Sequence, residues 1–289
     1  MAEDKYDRSI QDVGNIVALE HVNVTIPDQA MATNFWITGM GFTRDPYLMV
    51  GTDNMWVNIG QQQFHLPTNQ PQVLRGVVDL VVPDIDALVA SLAGVRDKLV
   101  GTRFAYTVER QHVAVTCPWG NRLRCYAPGA WADMTLGMPG VEFPVAPGTA
   151  VGIAKFYETV MGAPSAVIEV AGAPAARVRV GGVQALVFRE TAEALAAYDG
   201  HHVAIYIADF SGPYRQLREH GLLTRDEREH EYRFKVIADL DTGRPLFEIE
   251  HEVRSMTNPL YARPLVNRNP AQRQGTYQRG RDAFVPGMR

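Results

Sequence analysis

The sequence predicts an α+β fold in which four βαβββ modules pair into two pseudo-barrel domains. Three observations predict it: a motif that recurs at a fixed offset, a run of short strands after each copy of that motif, and two further segments with the same rhythm. The recurrence sets Phe35-Trp-Ile-Thr-Gly-Met-Gly-Phe42 on Phe156-Tyr-Glu-Thr-Val-Met-Gly-Ala163, where an aromatic pair, Thr, Met and Gly coincide at an offset of 121 residues. The same offset sets Val57, Ile59 and Gly60 on Val178, Val180 and Gly181 without a gap.

The elements follow in order. Leu19–Ile26 alternates as a strand, and Pro27-Asp28 opens a helix that runs to about Met40, where Gly39 and Gly41 end it. Strands are predicted at Tyr47–Val50, Met55–Ile59 and Gln62–Leu66, separated by Gly-containing turns. In the second module an apolar strand, Gly76–Pro83, runs into a helix at Asp84–Leu92. Strands near Thr107–Glu109, Val113–Thr116 and Asn121–Tyr126 complete that module. In the fourth, His202–Ala208, Tyr232–Ala238 and Leu246–Val253 read as strands and Ser211–His220 as a helix. The modules span about 17–70, 74–128, 138–191 and 199–255. By sequence the chain divides into a leader (1–16), modules 1 and 2 (17–128), modules 3 and 4 (138–255) and a C-terminal arm (256–289), with pairing of module 1 and module 4 as the alternative arrangement. A module of this kind leaves sheet surface uncovered, so modules should pair into half-barrels with a concave pocket.

Composition fits this reading. The chain has 289 residues, 46% of them hydrophobic and 21% charged, with 28 Lys+Arg against 32 Asp+Glu. That is length for roughly two domains and a core that folds without a metal or disulfide staple. There is no apolar run of membrane-spanning length, and the start is acidic and polar, which predicts a cytoplasmic protein without a secretory leader. Cys117 and Cys125, the only cysteines, are expected as reduced core residues. A net charge of −4 argues against a nucleic-acid or membrane partner. The tail after Tyr261 is different, with six arginines and a single acid, Asp282.

Chemistry is concentrated on first and last strands. His21 and His202 each precede a helix-opening Asp by seven residues, at Asp28 and Asp209. Val77 and Glu142 take that place in the second and third modules. Last strands offer His65, Arg124, an apolar Leu186 and the alternating Glu248, Glu250 and Glu252. A two-residue period puts the three glutamates on one face, where their repulsion calls for a cation, an Arg or water, and a cation is the economical answer. If module 1 pairs with module 4, His21, His202 and one Glu converge as a two-His-one-carboxylate set suited to Fe(II). Sequential pairing would instead join Glu142, His202 and a Glu, which suits Mn(II) or Mg(II). The first pairing is favoured because it collects both position-matched histidines. His112, His220 and His230 are read as structural, and Arg124 as a salt-bridge partner.

On His21-Val-Asn-Val-Thr-Ile-Pro-Asp28, His202-Val-Ala-Ile-Tyr-Ile-Ala-Asp209 and Leu246-Phe-Glu-Ile-Glu-His-Glu252, residues 17–255 resemble the vicinal oxygen chelate superfamily of glyoxalases, extradiol dioxygenases and antibiotic-resistance proteins. The branch it is most similar to is the hydroquinone ring-cleaving dioxygenases. That resemblance implies iron held by His21, His202 and Glu250, because the branch's two fourth-module ligands are separated much like His202 and Glu250. It places His201 and Arg233 among the groups around the metal. Glu20, Asn23 and Leu240 depart from the branch, which carries His, Thr and Tyr there, and this implies a different substrate.

The expected activity is thus that of an Fe(II) dioxygenase cleaving a small catechol- or hydroquinone-like aromatic with O₂ as co-substrate, Mn(II) or Zn(II) being the alternative metals. His201 is the expected proton shuttle, although the strand period points it away from His202 unless a bulge intervenes. Arg233 is expected to steady an anionic substrate oxygen and Tyr206 to donate a hydrogen bond. Asn23, His65, Glu248 and Tyr261 are expected to line the substrate pocket. The rival functions are a metal-dependent isomerase or lyase of the glyoxalase kind and a metal-free binding protein for aromatic or antibiotic ligands. The proline-rich segment from Asn258 is expected to cover the pocket mouth through Tyr261 and Arg263, and the arm beyond it to join subunits of a homo-oligomer.

Overall fold

The computed structural model describes residues 6–46 and 53–263. Module 1 comprises β1 (Ile16–Asn23), α1 (Gln29–Ala32), β2 (Thr43–Arg44), β3 (Asn54–Ile59) and β4 (Gln62–Pro67). Module 2 comprises β5 (Val77–Val81), α2 (Ile85–Gly94), β6 (Ala105–Val108), β7 (Val113–Thr116) and β8 (Arg122–Tyr126). Module 3 follows with β9 (Gly137–Val145), α3 (Ala150–Thr159), β10 (Ser165–Val170), β11 (Ala173–Arg179) and β12 (Ala185–Glu190). Module 4 closes the series with β13 (His202–Ile207), α4 (Ser211–Glu219), β14 (Leu223–Arg228), β15 (Glu231–Ala238) and β16 (Pro245–Ser255).

Two helices start where an aspartate can cap them. The Asp28 and Asp84 carboxylates accept the backbone N–H of Met31 and Ala87, each at 2.9 Å. The helix expected to run unbroken to Met40 instead widens into a π-helical stretch, Thr33–Gly39, which buries Phe35, Trp36 and Gly39. Gly39 is needed there because a Cβ would lie 2.9 Å from the Val95 side chain beside α2. The strand expected at Tyr47–Val50 lies outside the described residues.

The strands form two eight-stranded sheets, β14-β15-β16-β13-β1-β4-β3-β2 and β10-β11-β12-β9-β5-β8-β7-β6. Each sheet draws one module from each half of the chain, module 1 with module 4 and module 2 with module 3. The contiguous blocks 17–128 and 138–255 are therefore not the two sheets. The join is antiparallel pairing between first strands, β1 with β13 and β5 with β9. Each first strand also pairs in parallel with the last strand of its own module. In the first sheet this brings the first and last modules together at its centre.

A shared apolar core binds the two sheets, with Phe35, Trp36, Phe64, Phe143, Phe156 and Phe188 among its largest members. The buried Gln184 amide crosses between them, donating to the Leu19 and Met138 carbonyls at 3.0 and 2.9 Å and accepting from the Leu19 N–H at 3.1 Å. Tyr157 on α3 reaches the other sheet, its hydroxyl 2.7 Å from His251 Nε2. Cys117 and Cys125 are free, buried thiols.

Candidate metal centre

The register of the first sheet decides which side chains meet. In module 1, Asn23 lies opposite His65, so the last-strand residue is level with the position two beyond His21. Module 4 repeats the pattern: Ala204, two beyond His202, lies opposite Glu252, whereas Glu250 lies opposite His202 itself. His21/His65 and His202/Glu252 are thus equivalent pairs. Their strands adjoin at the centre of the sheet.

His21, His65 and His202 present ring nitrogens that lie within 4.8 Å of one another. The Nε2 atoms of all three are buried and have no hydrogen-bond partner, three of the seven such side-chain atoms among the described residues. Leaving a buried polar atom unpaired costs ~1–3 kcal/mol, so three at one point imply a ligand. A cation that accepts nitrogen lone pairs satisfies all three at once.

The opposite edges of the rings are held. His21 Nδ1 is 2.9 Å from Glu20 Oε2, and the Asn23 amide meets His65 Nδ1 at 2.6 Å. A proton placed on Nδ1 by Glu20, or by the Asn23 amide oxygen turned to the ring, leaves the Nε2 lone pair free for a metal. Glu20 and His21 are neighbours that strict alternation would send to opposite faces. A register shift between Leu19 and His21 brings them together. Trp56 fixes ring planes, stacking on His65 at 3.9 Å and meeting His21 edge-on at 4.8 Å.

Burial keeps the His65 and His202 imidazoles neutral. It pushes His202 down to about 4 despite the nearby Glu252, with His21 adding to the effect. Burial, then His21 and His202, holds His65 well below its ordinary value. Burial would raise the Glu252 carboxyl, but Arg254, His202, His21 and Arg233 outweigh it and hold that group well below its usual range. The result is two neutral imidazoles and one ionised carboxylate gathered beside His21.

Several expected residues fall elsewhere. Glu250, expected as the carboxylate ligand, has Oε1 3.8 Å from His202 Nδ1, the wrong edge of the ring, and 2.6 Å from Arg233 Nη1. Glu252 has Oε2 3.4 Å from His202 Nε2 and a side chain only 4% exposed. No single cation answers the three glutamates: Lys235 takes Glu248 at 3.0 Å, Arg233 takes Glu250, and Arg233 and Arg254 share Glu252. Glu248 therefore lies at the strand's exposed end, and Arg233 serves carboxylates, including Glu231 at 3.0 Å. His201, the expected proton shuttle, is buried on the other side, with Nδ1 2.6 Å from Asp199 Oδ1 and its ring against Tyr198. No bulge reverses it. Tyr206 does not reach His202; its hydroxyl donates to Glu20 Oε1 at 3.0 Å.

His65, a last-strand candidate, was placed among the pocket groups rather than the iron ligands, Glu20 was noted only as a departure from the branch, and Trp56 and Arg254 were not singled out for the site. Arg254 Nη1 is 2.5 Å from Glu20 Oε2, so one guanidinium links the carboxylates behind His21 and beside His202. The strand period put Glu248, Glu250 and Glu252 on one face, but only the parallel register says which is level with the imidazoles. A cavity of about 500 Å³ opens onto His65, Trp56, Glu252 and Arg254, with His230, Asn258 and Leu260 in its walls.

Searches with the sequence match no family model and no curated protein. Solved structures do match. Glyoxalase I from Zea mays is 13% identical with a TM-score of 0.58, over 82% of this chain and 92% of that one. A "putative dioxygenase" from Bacillus subtilis is 14% identical with a TM-score of 0.54, over 86% of this chain and 87% of that one. The chain shares the fold of these structures, as the resemblance in its sequence implied. At these identities the likeness is one of fold, and the chemistry has to be argued from this chain's own residues.

Proposed function

We propose that the protein is a metal-dependent enzyme that holds one divalent transition metal among His21, His65, His202 and Glu252. The observation that supports it is the convergence of three buried, unpartnered Nε2 atoms whose rings are braced from behind. A nitrogen-rich set with one carboxylate suits Fe(II), with Zn(II) or Mn(II) as alternatives. The reading adopted is an Fe(II) dioxygenase that cleaves a small catechol- or hydroquinone-like ring with O₂. When bound, such a metal supplies Lewis acidity toward a phenolic hydroxyl and a redox-active ion for the use of O₂.

The chain's own residues do the rest. Glu20, Asn23 and Trp56 keep the imidazoles oriented, and Arg254 neutralises the carboxylates around them. The cavity beside His65 receives the substrate. His230, in its wall with Nδ1 3.4 Å from Thr257 Oγ1, replaces His201 as the group able to accept a substrate proton. One observation favours a second reading. Four candidate donors, rather than the three of a two-His-one-carboxylate set, would leave less room for substrate and O₂ together, which suits a glyoxalase-type isomerase or lyase that needs no O₂.

Metal analysis of protein purified without air, followed by O₂ uptake with a catechol and hydroquinone panel, tests this. Near-stoichiometric iron and substrate-dependent O₂ consumption are expected. Metal without O₂ uptake would transfer the site to the isomerase reading, and the absence of any first-row metal would overturn the metal centre itself.

A further inference from the structure

After β16 the chain turns back over the sheet that carries the imidazoles. Asn258 N–H donates to the Ser255 carbonyl at 3.0 Å, and Tyr261 N–H to the Asn258 carbonyl at 2.9 Å. Further along, the Arg263 guanidinium pairs with the wholly buried Asp45 just beyond β2. Gln63 on β4 donates to the same carboxylate at 2.6 Å. β16 and β2 lie five strands apart in the sheet order, so residues 256–263 form a strap from one arm of the curved sheet to the far edge of the other. Ala262, beside the anchor, sits at φ 50°, a conformation that a residue with a Cβ adopts only where its surroundings impose it.

Two cavities lie along the strap. One chamber, about 500 Å³, holds His65, Glu252 and Asn258. The other, about 300 Å³, lies behind His21 and holds Glu20, Tyr206 and Tyr261, whose rings meet edge-on at 4.9 Å. Leu260 is the one residue that lines both. It is an apolar wall, fixed at its own N–H by Asn258 Oδ1 at 2.9 Å.

We propose that Leu260 sets the size of molecule that reaches the metal, by closing the metal chamber off from the space under Tyr206 and Tyr261. This rests on the metal centre described above but on neither of its two reactions. A larger group attached to a metal-bound ligand would have to enter the second chamber through the place Leu260 occupies. Deleting one apolar wall group typically changes discrimination between ligands by about 10–200-fold.

The test uses the full chain loaded with Co(II), its visible spectrum reporting the binding of two metal ligands that differ in bulk, imidazole and 4-phenylimidazole. Leu260→Ala is expected to tighten 4-phenylimidazole about 10-fold while imidazole stays within about 2-fold. Leu260→Met is expected to keep the parent's ratio, which separates the wall from general loosening. An unchanged ratio in Leu260→Ala, or an equal change for both probes, would overturn the proposal while leaving the metal centre standing. A parent protein that takes up no Co(II) would overturn the metal centre and the proposal together.

Discussion

The two sheets place different chemistry at the same register positions. In each module the pair consists of a first-strand residue and the last-strand residue level with the position two further on. The first sheet reads His21/His65 and His202/Glu252; the second reads Val77/Arg124 and Glu142/Arg189. The sequence reading had put the apolar Leu186 in the last of these places, but Pro144 lies opposite Arg189. In the second sheet the charges satisfy each other: Arg124 meets Asp79 at 2.6 Å and Glu142 at 3.0 Å, and Arg189 meets Glu142 at 2.8 Å. The first sheet is left with three buried ring nitrogens that have no hydrogen-bond partner. One geometry thus supports a closed ion-pair cluster or an open ligand set, and the difference lies in whether the side chains can neutralise one another.

Breaking the open set should have the largest effect. His21→Ala, His65→Ala and His202→Ala should each abolish stoichiometric metal in protein purified without air, while Glu142→Ala should retain it. Loss of metal in Glu142→Ala with retention in His21→Ala would reverse the contrast. A smaller effect is expected behind the ligands: Glu20→Gln should weaken metal affinity ~10–100-fold in a competition titration, since it loosens the hold on His21 Nδ1 without touching Nε2.

The closed cluster should fail differently. Arg124→Ala strands Asp79, while Glu142 keeps Arg189, and should cost ~2–3 kcal/mol in urea unfolding, below the value for a fully buried pair because the Arg124 side chain is 26% exposed. Its metal content should match that of the parent. The smallest effect concerns the seam between the sheets. Burial pushes His251 down to about 3, so the unfolded chain takes up a proton near pH 6.5 that the folded protein refuses. Its contribution to stability is complete above that pH and is lost as pH falls toward 3. Between pH 7.5 and 5.5 it should amount to about 1 kcal/mol, read as a drop in unfolding free energy that is smaller in His251→Phe by that amount.

Much of this was legible in the sequence, for identifiable reasons. The repeat at Phe35 and Phe156 exposed the modules because equivalent helices pack equivalent faces. Asp28 and Asp84 marked helix starts because a carboxylate there satisfies backbone donors that the helix leaves unpaired. His21 and His202 were found because they keep the same distance from such an aspartate. The choice among Glu248, Glu250 and Glu252 was not legible, since residues two apart share a face and differ only in height along the strand. Nor was Glu20, which joins His21 through a local register shift that no residue type announces.

Local spacing alone therefore specified the modules, their strand and helix order and two of the imidazoles, because those depend on periodicity within a few dozen residues. The pairing of module 1 with module 4, which the two position-matched histidines already favoured, is fixed by contacts between segments far apart in the chain, as are the level of Glu252, the stacking of Trp56 on His65 and the strap from β16 to Asp45. Such contacts are set by which strand edges and charges find partners in three dimensions. The unpartnered Nε2 atoms belong to that second group: each histidine is ordinary in the sequence, and only their meeting makes them a candidate site.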